Sequence, residues 1–256
     1  MTLVAVGDVA GVVARVLART PGTLALLGDT VYDSGTAQEF SRRYDPAWGR
    51  FRDRTRPALG NHDYDTPGAA GYFDYFGASA GRRGRGWYSY DLGRRWHVVV
   101  LNSNCEEVRC DDGSAQLAWL RADLQRAQDR NLLAYWHAPR HSSGRHGSAA
   151  SVAPFWRALY EAHADVVLAG HDHDYERFAP LGPAGEPDER GIRSFVVGTG
   201  GRHLYPLARE PLPATEVRND DSYGVLVLRL SDRAYRWRFV PAMGDFTDSG
   251  TAAVVP

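Results

Sequence analysis

Lysine is absent from this 256-residue chain: all 30 basic side chains are arginine. Isoleucine occurs once, at Ile192. This bias reads as the imprint of a GC-rich coding sequence, so no function is read into the arginine content. Cysteine is scarce too, with only Cys105 and Cys110, close together in one polar segment. No C-x-x-C pattern is present, which argues against a cysteine-held zinc. The pair either closes a small disulfide in an oxidising compartment or stays as two free thiols. No apolar run is long enough to span a membrane. The net charge of −1 leaves no global basic field, which argues against a nucleic-acid polymer as partner.

What is present suits an α/β protein. The hydrophobic fraction of 43% is ordinary for a soluble domain. A strand-like run begins at Thr2, so no signal peptide is expected. The chain is then cytoplasmic if Met1 is its native start, and secreted if it is a mature or trimmed form. Leu3 to Val6, Leu24 to Leu27 and Pro57 to Leu59 read as buried strands, with a short helix over Val12 to Ala18. Tyr88 to Tyr90 and His97 to Leu101 flank the turn Gly93-Arg94 and predict a hairpin. A helix is predicted from Ser114, a suitable N-cap, to Asp129, with Leu117, Leu120, Leu124 and Ala127 on one face. Leu132 to Trp136 and Val166 to Ala169 are strands around a helical Val152 to Ala162. Ser194 to Val197, Tyr223 to Leu230 and Tyr235 to Val240 follow a turn-rich loop at Pro180 to Pro187, and the last two strands form a hairpin. The expectation is one domain over 1–256: a four-layer α-β-β-α sandwich of two mixed sheets with outer helices.

Five segments end hydrophobic runs with residues suited to a metal site. They are Gly7-Asp8, Gly28-Asp29-Thr30-Val31-Tyr32, Gly60-Asn61-His62-Asp63, the run ending at His137, and Gly170-His171-Asp172-His173. In α/β sheets, sites lie beyond the carboxyl ends of strands, where all five fall. Taken alone, either aspartate reads as a turn or helix cap, and His137 as a core histidine. Together they look like a two-metal site of the kind that attacks phosphate esters. In an extended segment His171 and His173 would point to one side, one for each metal. Asn61 offers an oxygen. His62 beside it faces substrate, with Asp63 set to hold its tautomer.

These motifs, in this order from Gly7 to about Gly201, resemble the calcineurin-like metallophosphoesterases. Within that superfamily they are similar to the purple acid phosphatases, in a small single-domain form. Gly170-His171-Asp172-His173-Asp174-Tyr175-Glu176-Arg177 is a close match to the purple-type fifth motif, and Gly198-Thr199-Gly200-Gly201 matches a further common stretch. Many superfamily members carry Asp-x-His in the first motif, and here the third residue is Ala10. Tyr32, three residues after Asp29, would restore the missing ligand, which is the purple-type pattern. The resemblance implies a first metal held by Asp8, Asp29, Tyr32 and His173. A second metal would take Asp29, Asn61, His137 and His171, with Asp29 bridging. A phenolate prefers a hard trivalent ion, so Fe(III) is implied at the Tyr32 site, with Fe(II), Zn(II) or Mn(II) at the second.

The implied activity is hydrolysis of small phosphomonoesters by attack of metal-bound hydroxide on phosphorus, reaching into mildly acidic pH. His62 and His146, the latter nine residues after His137, would serve proton transfer and phosphate contact. Asn61, His141 and Arg202 are further substrate-binding candidates, with Arg140, Arg145 and His203 on the rim. His141 stands where relatives often carry an aromatic residue. His97 and His163 read as structural. A phosphodiesterase on the same scaffold is the nearest alternative, and a non-catalytic phosphate-binding module a more distant one.

Overall fold

Alternation within the strands decides the layers of this fold. The computed structural model describes residues 1–207 and 210–255. In β1 (Thr2–Val6), Leu3 and Ala5 point to one face and Val4 and Val6 to the other, and all four are fully buried. A strand buried on both faces must lie inside a stack, not on its surface. β2 (Thr23–Leu27) and β3 (Thr55–Ala58) continue β1 in parallel. β4 (Tyr88–Leu92) and β5 (Trp96–Val100) form the expected hairpin. β6 (Asn131–Tyr135) and β7 (Val166–Ala169) then run parallel to β5, and β8 (Tyr175–Phe178) returns antiparallel to β9 (Arg193–Val197). β10 (Thr215–Asn219), β11 (Tyr223–Leu230), β12 (Ala234–Met243) and β13 (Ser249–Ala253) complete the set.

The strands form two mixed sheets, ordered β13-β12-β11-β1-β2-β3 and β10-β8-β9-β7-β6-β5-β4. Between them lies a core in which Leu3, Ala5, Leu27, Leu226 and Trp237 meet Val98, Leu133, Tyr135 and Phe195. Outside the first sheet, Val4, Val6 and Leu26 pack under Phe40, Trp48, Tyr72 and Phe76 from helical segments within 37–54 and 70–76. Outside the second, Val99, Ala134 and Val167 pack under Leu117, Leu120, Phe155 and Trp156 of helices Ala115–Arg126 and Ala153–Glu161. The expected α-β-β-α order is therefore the observed one.

Local details follow residue chemistry. The Ser114 hydroxyl accepts the Leu117 amide hydrogen at 3.1 Å and starts the long helix where expected. Cys105 and Cys110 are joined by a disulfide. β8, β10 and β13 carry no apolar signature: Tyr-Glu-Arg-Phe, Thr-Glu-Val-Arg-Asn and Ser-Gly-Thr-Ala-Ala. Two of these, β10 and β13, are sheet edges, where polar residues suit an exposed ladder. In β8, Arg177 is compensated by Asp248 at 2.7 Å.

Candidate functional site

Because β1, β2 and β3 run parallel, their carboxyl ends share one edge, and β6 and β7 bring theirs to the facing edge of the second sheet. The five motifs follow these ends. Glycine at the turn lets the two edges touch. A Cβ at Gly7 would meet the Gly170 Cα, and Gly28, at φ +91°, leaves no room for a side chain against the His137 ring. The next residue in three of the motifs takes a left-handed backbone: Asp8 at φ 60°, Asp29 at 48° and His171 at 71°. Such conformations are sparsely populated outside glycine and concentrate at functional sites.

The side chains converge in two groups around Asp29. On one side its Oδ2 lies 2.8 Å from the Tyr32 hydroxyl, which is 3.0 Å from Asp8 Oδ1 and 3.3 Å from His173 Nε2. On the other side its Oδ1 lies 3.4 Å from His137 Nε2, which is 3.0 Å from Asn61 Oδ1 and 3.2 Å from His171 Nδ1. The His171 amide donates to Asp8 Oδ2 at 2.8 Å and ties the groups together. Asp8, Asp29 and His137 each place a ligand atom within 4.8 Å of the others.

The surroundings fit metal ions. The Nδ1 atoms of His137 and His173 sit 2.8 Å from the Leu27 and His203 carbonyls. Each ring must donate there, which turns the Nε2 lone pair into the cluster, as imidazole ligands require. Nitrogen then faces nitrogen between His137 and His171, with carboxylates close by, a packing that a cation relieves. Burial, then Asp8 and Asp29, push the Tyr32 hydroxyl far above its ordinary value. A phenolate there needs a cation. Burial and the neighbouring His137 push His171 down to about 3, so it is a neutral donor.

Two sequence expectations are corrected in this region. Asp63 does not hold the His62 tautomer. Residues Asn61–Tyr64 form a helical turn, which swings neighbouring side chains apart. Asp63 is buried and accepts from Thr30 Oγ1 at 2.6 Å and the Gly60 amide at 2.8 Å. Burial and Asp29 raise it to about 7. His62 instead directs Nδ1 to the Asp33 carbonyl at 2.7 Å and to Asp65 at 3.2 Å, leaving Nε2 4.0 Å from Asp29 Oδ2. Asp65 is three residues on, a helical spacing visible in the sequence. His141 is not at the cluster either. It is buried edge-on against Trp156, 4.8 Å between ring centres, with Gly185 above it, and burial and Arg140 lower it to about 4.

The pairing of His171 with His173 also differs in its cause. Residues 171–174 bend and are not extended, so the left-handed His171 turns its ring toward His137 while His173 reaches Tyr32. His146 is exposed, with its ring centre 4.4 Å from that of His171. Arg202 lies over the Tyr32 ring at 4.5 Å and pairs with Asp33 at 3.0 Å. Tyr205, which no spacing rule singles out, stacks on His173 at 4.3 Å. His97 is buried between Asp91 and Asp123, each 2.8 Å away, and is structural as expected. A pocket of about 500 Å³ opens beside Asn61, His137 and His171, walled by Ser103, Asn104, Cys105, Glu106 and Glu107 with Asp65.

Residues 1–175 match the family model described as calcineurin-like phosphoesterase. Purple acid phosphatase 21 of Arabidopsis thaliana is 30% identical over 155 residues, covering 57% of this chain and 34% of that protein. Phosphoenolpyruvate phosphatase of Allium cepa is 27% identical over 254 residues, covering 84% of this chain and 51% of that protein. A solved purple acid phosphatase from yellow lupin (Lupinus luteus) seeds shares the fold. It superposes with a TM-score of 0.84 over 99% of this chain and 53% of that one, at 18% identity. The chain thus covers about a third to a half of the length of these relatives.

Proposed function

The chain belongs to the calcineurin-like phosphoesterase family, and we propose that it hydrolyses small phosphomonoesters at two metal ions held around Asp29. The observation that carries this reading is the division of the Asp29 carboxylate. Oδ2 faces Tyr32, and Oδ1 faces His137. Asp8, Asp29, Tyr32 and His173 would hold the first ion, and Asp29, Asn61, His137 and His171 the second. The tyrosine oxygen suits Fe(III), as in the purple type, and the nitrogen-rich second set suits Fe(II), Zn(II) or Mn(II).

Bound there, the ions supply charge to the transferring phosphoryl group and an activated water. The protein's own groups do the rest. His62 is anchored through Nδ1 and keeps Nε2 free toward the cluster, where it can hand a proton to a leaving oxygen. His146 stands beside the second set and Arg202 beside the first. The pocket next to Asn61 has Asp65, Glu106 and Glu107 in its wall and, among the described residues, no arginine. A long polyanion is poorly suited to that wall, while a small leaving group fits it. The disulfide favours an oxidising compartment, and with it an exported protein.

Metal-analysed protein assayed on p-nitrophenyl phosphate and its bis-ester at mildly acidic pH tests the proposal. Two metals per chain with strong monoester preference is the expected result. Preference for the bis-ester replaces it with a phosphodiesterase, and bound metals with neither hydrolysed overturns it. Asp29→Ala should lose both metals; a variant that keeps two rejects the bridging role.

A further inference from the structure

Between the two histidines of Gly170-His171-Asp172-His173 stands a side chain that the metals do not use. Asp172 is fully buried, and its carboxylate engages the loop that follows His137. Its Oδ1 accepts the His146 amide hydrogen at 2.6 Å. Its Oδ2 accepts from the Ser142 hydroxyl and, at 3.2 Å, from the Gly147 amide. Ser142 Oγ in turn accepts from the Gly144 amide at 3.0 Å. Residues 142–147 have no helix or strand of their own, so these bonds stand in for one. Gly144 crosses directly over the carboxylate, and a Cβ there would lie 2.5 Å from Asp172 Cγ. The Ser143 amide donates to buried Glu176 at 2.8 Å and fixes the other side of the loop.

Charge-assisted bonds to buried donors are the strong ones, and removing the acceptor strands every donor at once. We propose that Asp172 is the positioning residue for His146. It latches residues 142–147 so that the segment offering His171 and His173 to the metals also sets the substrate-side histidine beside them. The inference rests on the phosphatase reading for the use made of His146. The latch itself depends only on the contacts above. It joins metal holding and substrate contact in four consecutive residues. Any shift of 171–173 moves Asp172 and, through it, His146.

The test is a double-mutant cycle in the metal-loaded protein with p-nitrophenyl phosphate, alongside amide hydrogen exchange. Asp172→Val is expected to lower kcat about 10- to 100-fold while two metals stay bound. The Asp172→Val/His146→Ala double variant should be no slower than His146→Ala alone, because both changes remove the same contribution. Asp172→Asn keeps an acceptor for the His146 amide and should recover most of the rate. Ser142→Ala should fall between. Exchange at the amides of 146 and 147 should quicken in Asp172→Val and stay slow in β7. Losses that multiply, or loss of metal in Asp172→Asn, would assign Asp172 to the fold or the metal site and overturn the proposal. If the wild type hydrolyses nothing, the phosphatase reading fails, and exchange alone judges the latch. Unchanged protection at 146 and 147 would reject it.

Discussion

The Tyr32 hydroxyl lies 2.8 Å from Oδ2 of Asp29, three residues earlier in the chain. Asp8 is on its other side at 3.0 Å. Two buried carboxylates around a phenol hold its proton firmly unless a strong cation replaces that proton. Tyr32→Phe keeps the ring under Arg202 and removes only the oxygen. Under the proposed Fe(III) assignment the expected outcome is loss of visible colour and of the first metal's affinity, read by absorption spectroscopy and metal analysis. A variant that remained purple would reject the phenolate.

His62 is anchored by the Asp33 carbonyl, so the acid role proposed for it is separable from metal holding. His62→Ala should retain both metals. Turnover of an alkyl phosphate should fall about 10²- to 10⁴-fold. p-Nitrophenyl phosphate should be affected less, since p-nitrophenolate leaves without a proton. Equal losses on the two substrates would argue that His62 binds phosphate and does not protonate.

Stability should depend on pH through a pair remote from the site. Burial opposes charging His97, but bonds to Asp123 and Asp91 outweigh it and hold it above its ordinary value. Burial likewise opposes charge on Asp123, while His97 and bonds from Ser89 and Arg126 hold it below the usual carboxylate range. A raised histidine stabilises fully below its unfolded value and loses that contribution as pH rises through its folded value. The lowered carboxylate acts at the other end, losing its contribution as pH falls through its folded value. Between about pH 5.5 and about pH 9, the melting temperature of the wild type should therefore drop more than that of His97→Gln. Parallel curves would remove the pair from the account.

The Cys105–Cys110 bridge closes a short loop in the pocket wall. Replacing both cysteines by serine should reduce unfolding free energy by about 2 kcal/mol, chiefly by freeing the unfolded chain. Urea denaturation measures this. An unchanged midpoint would mean that so short a loop restricts the unfolded chain too little to matter.

Much of this was legible from residues alone. The Gly-Asp and Gly-His junctions mark strand ends because glycine is needed where the sheet edges touch, and both halves of the cluster follow from that. Buried strands with continuous apolar residues were equally plain. β8 was hidden because Glu176 and Arg177 find partners only in the folded chain, in Ser143 and Asp248. Asp63 was misread because adjacency in sequence says nothing of direction once Asn61 opens a helical turn. His141 was misread because its companion, Trp156, lies on a distant helix. The same distance concealed Tyr205 beside His173.

Asp8, Asp29 and Asn61 hang from the first sheet, while His137, His171 and His173 follow strands of the second. An ion held among them, as proposed, would be a suture across the seam between the two. Its donors are scattered over most of the sequence, so a chain emerging from the ribosome has no complete grip to offer until residue 173 is out and both sheets have closed. Chains truncated before residue 171 should take up no metal at the shared centre. Under the proposed assignment, loading would be a proof-reading of the finished tertiary structure, reporting that the sheets have met.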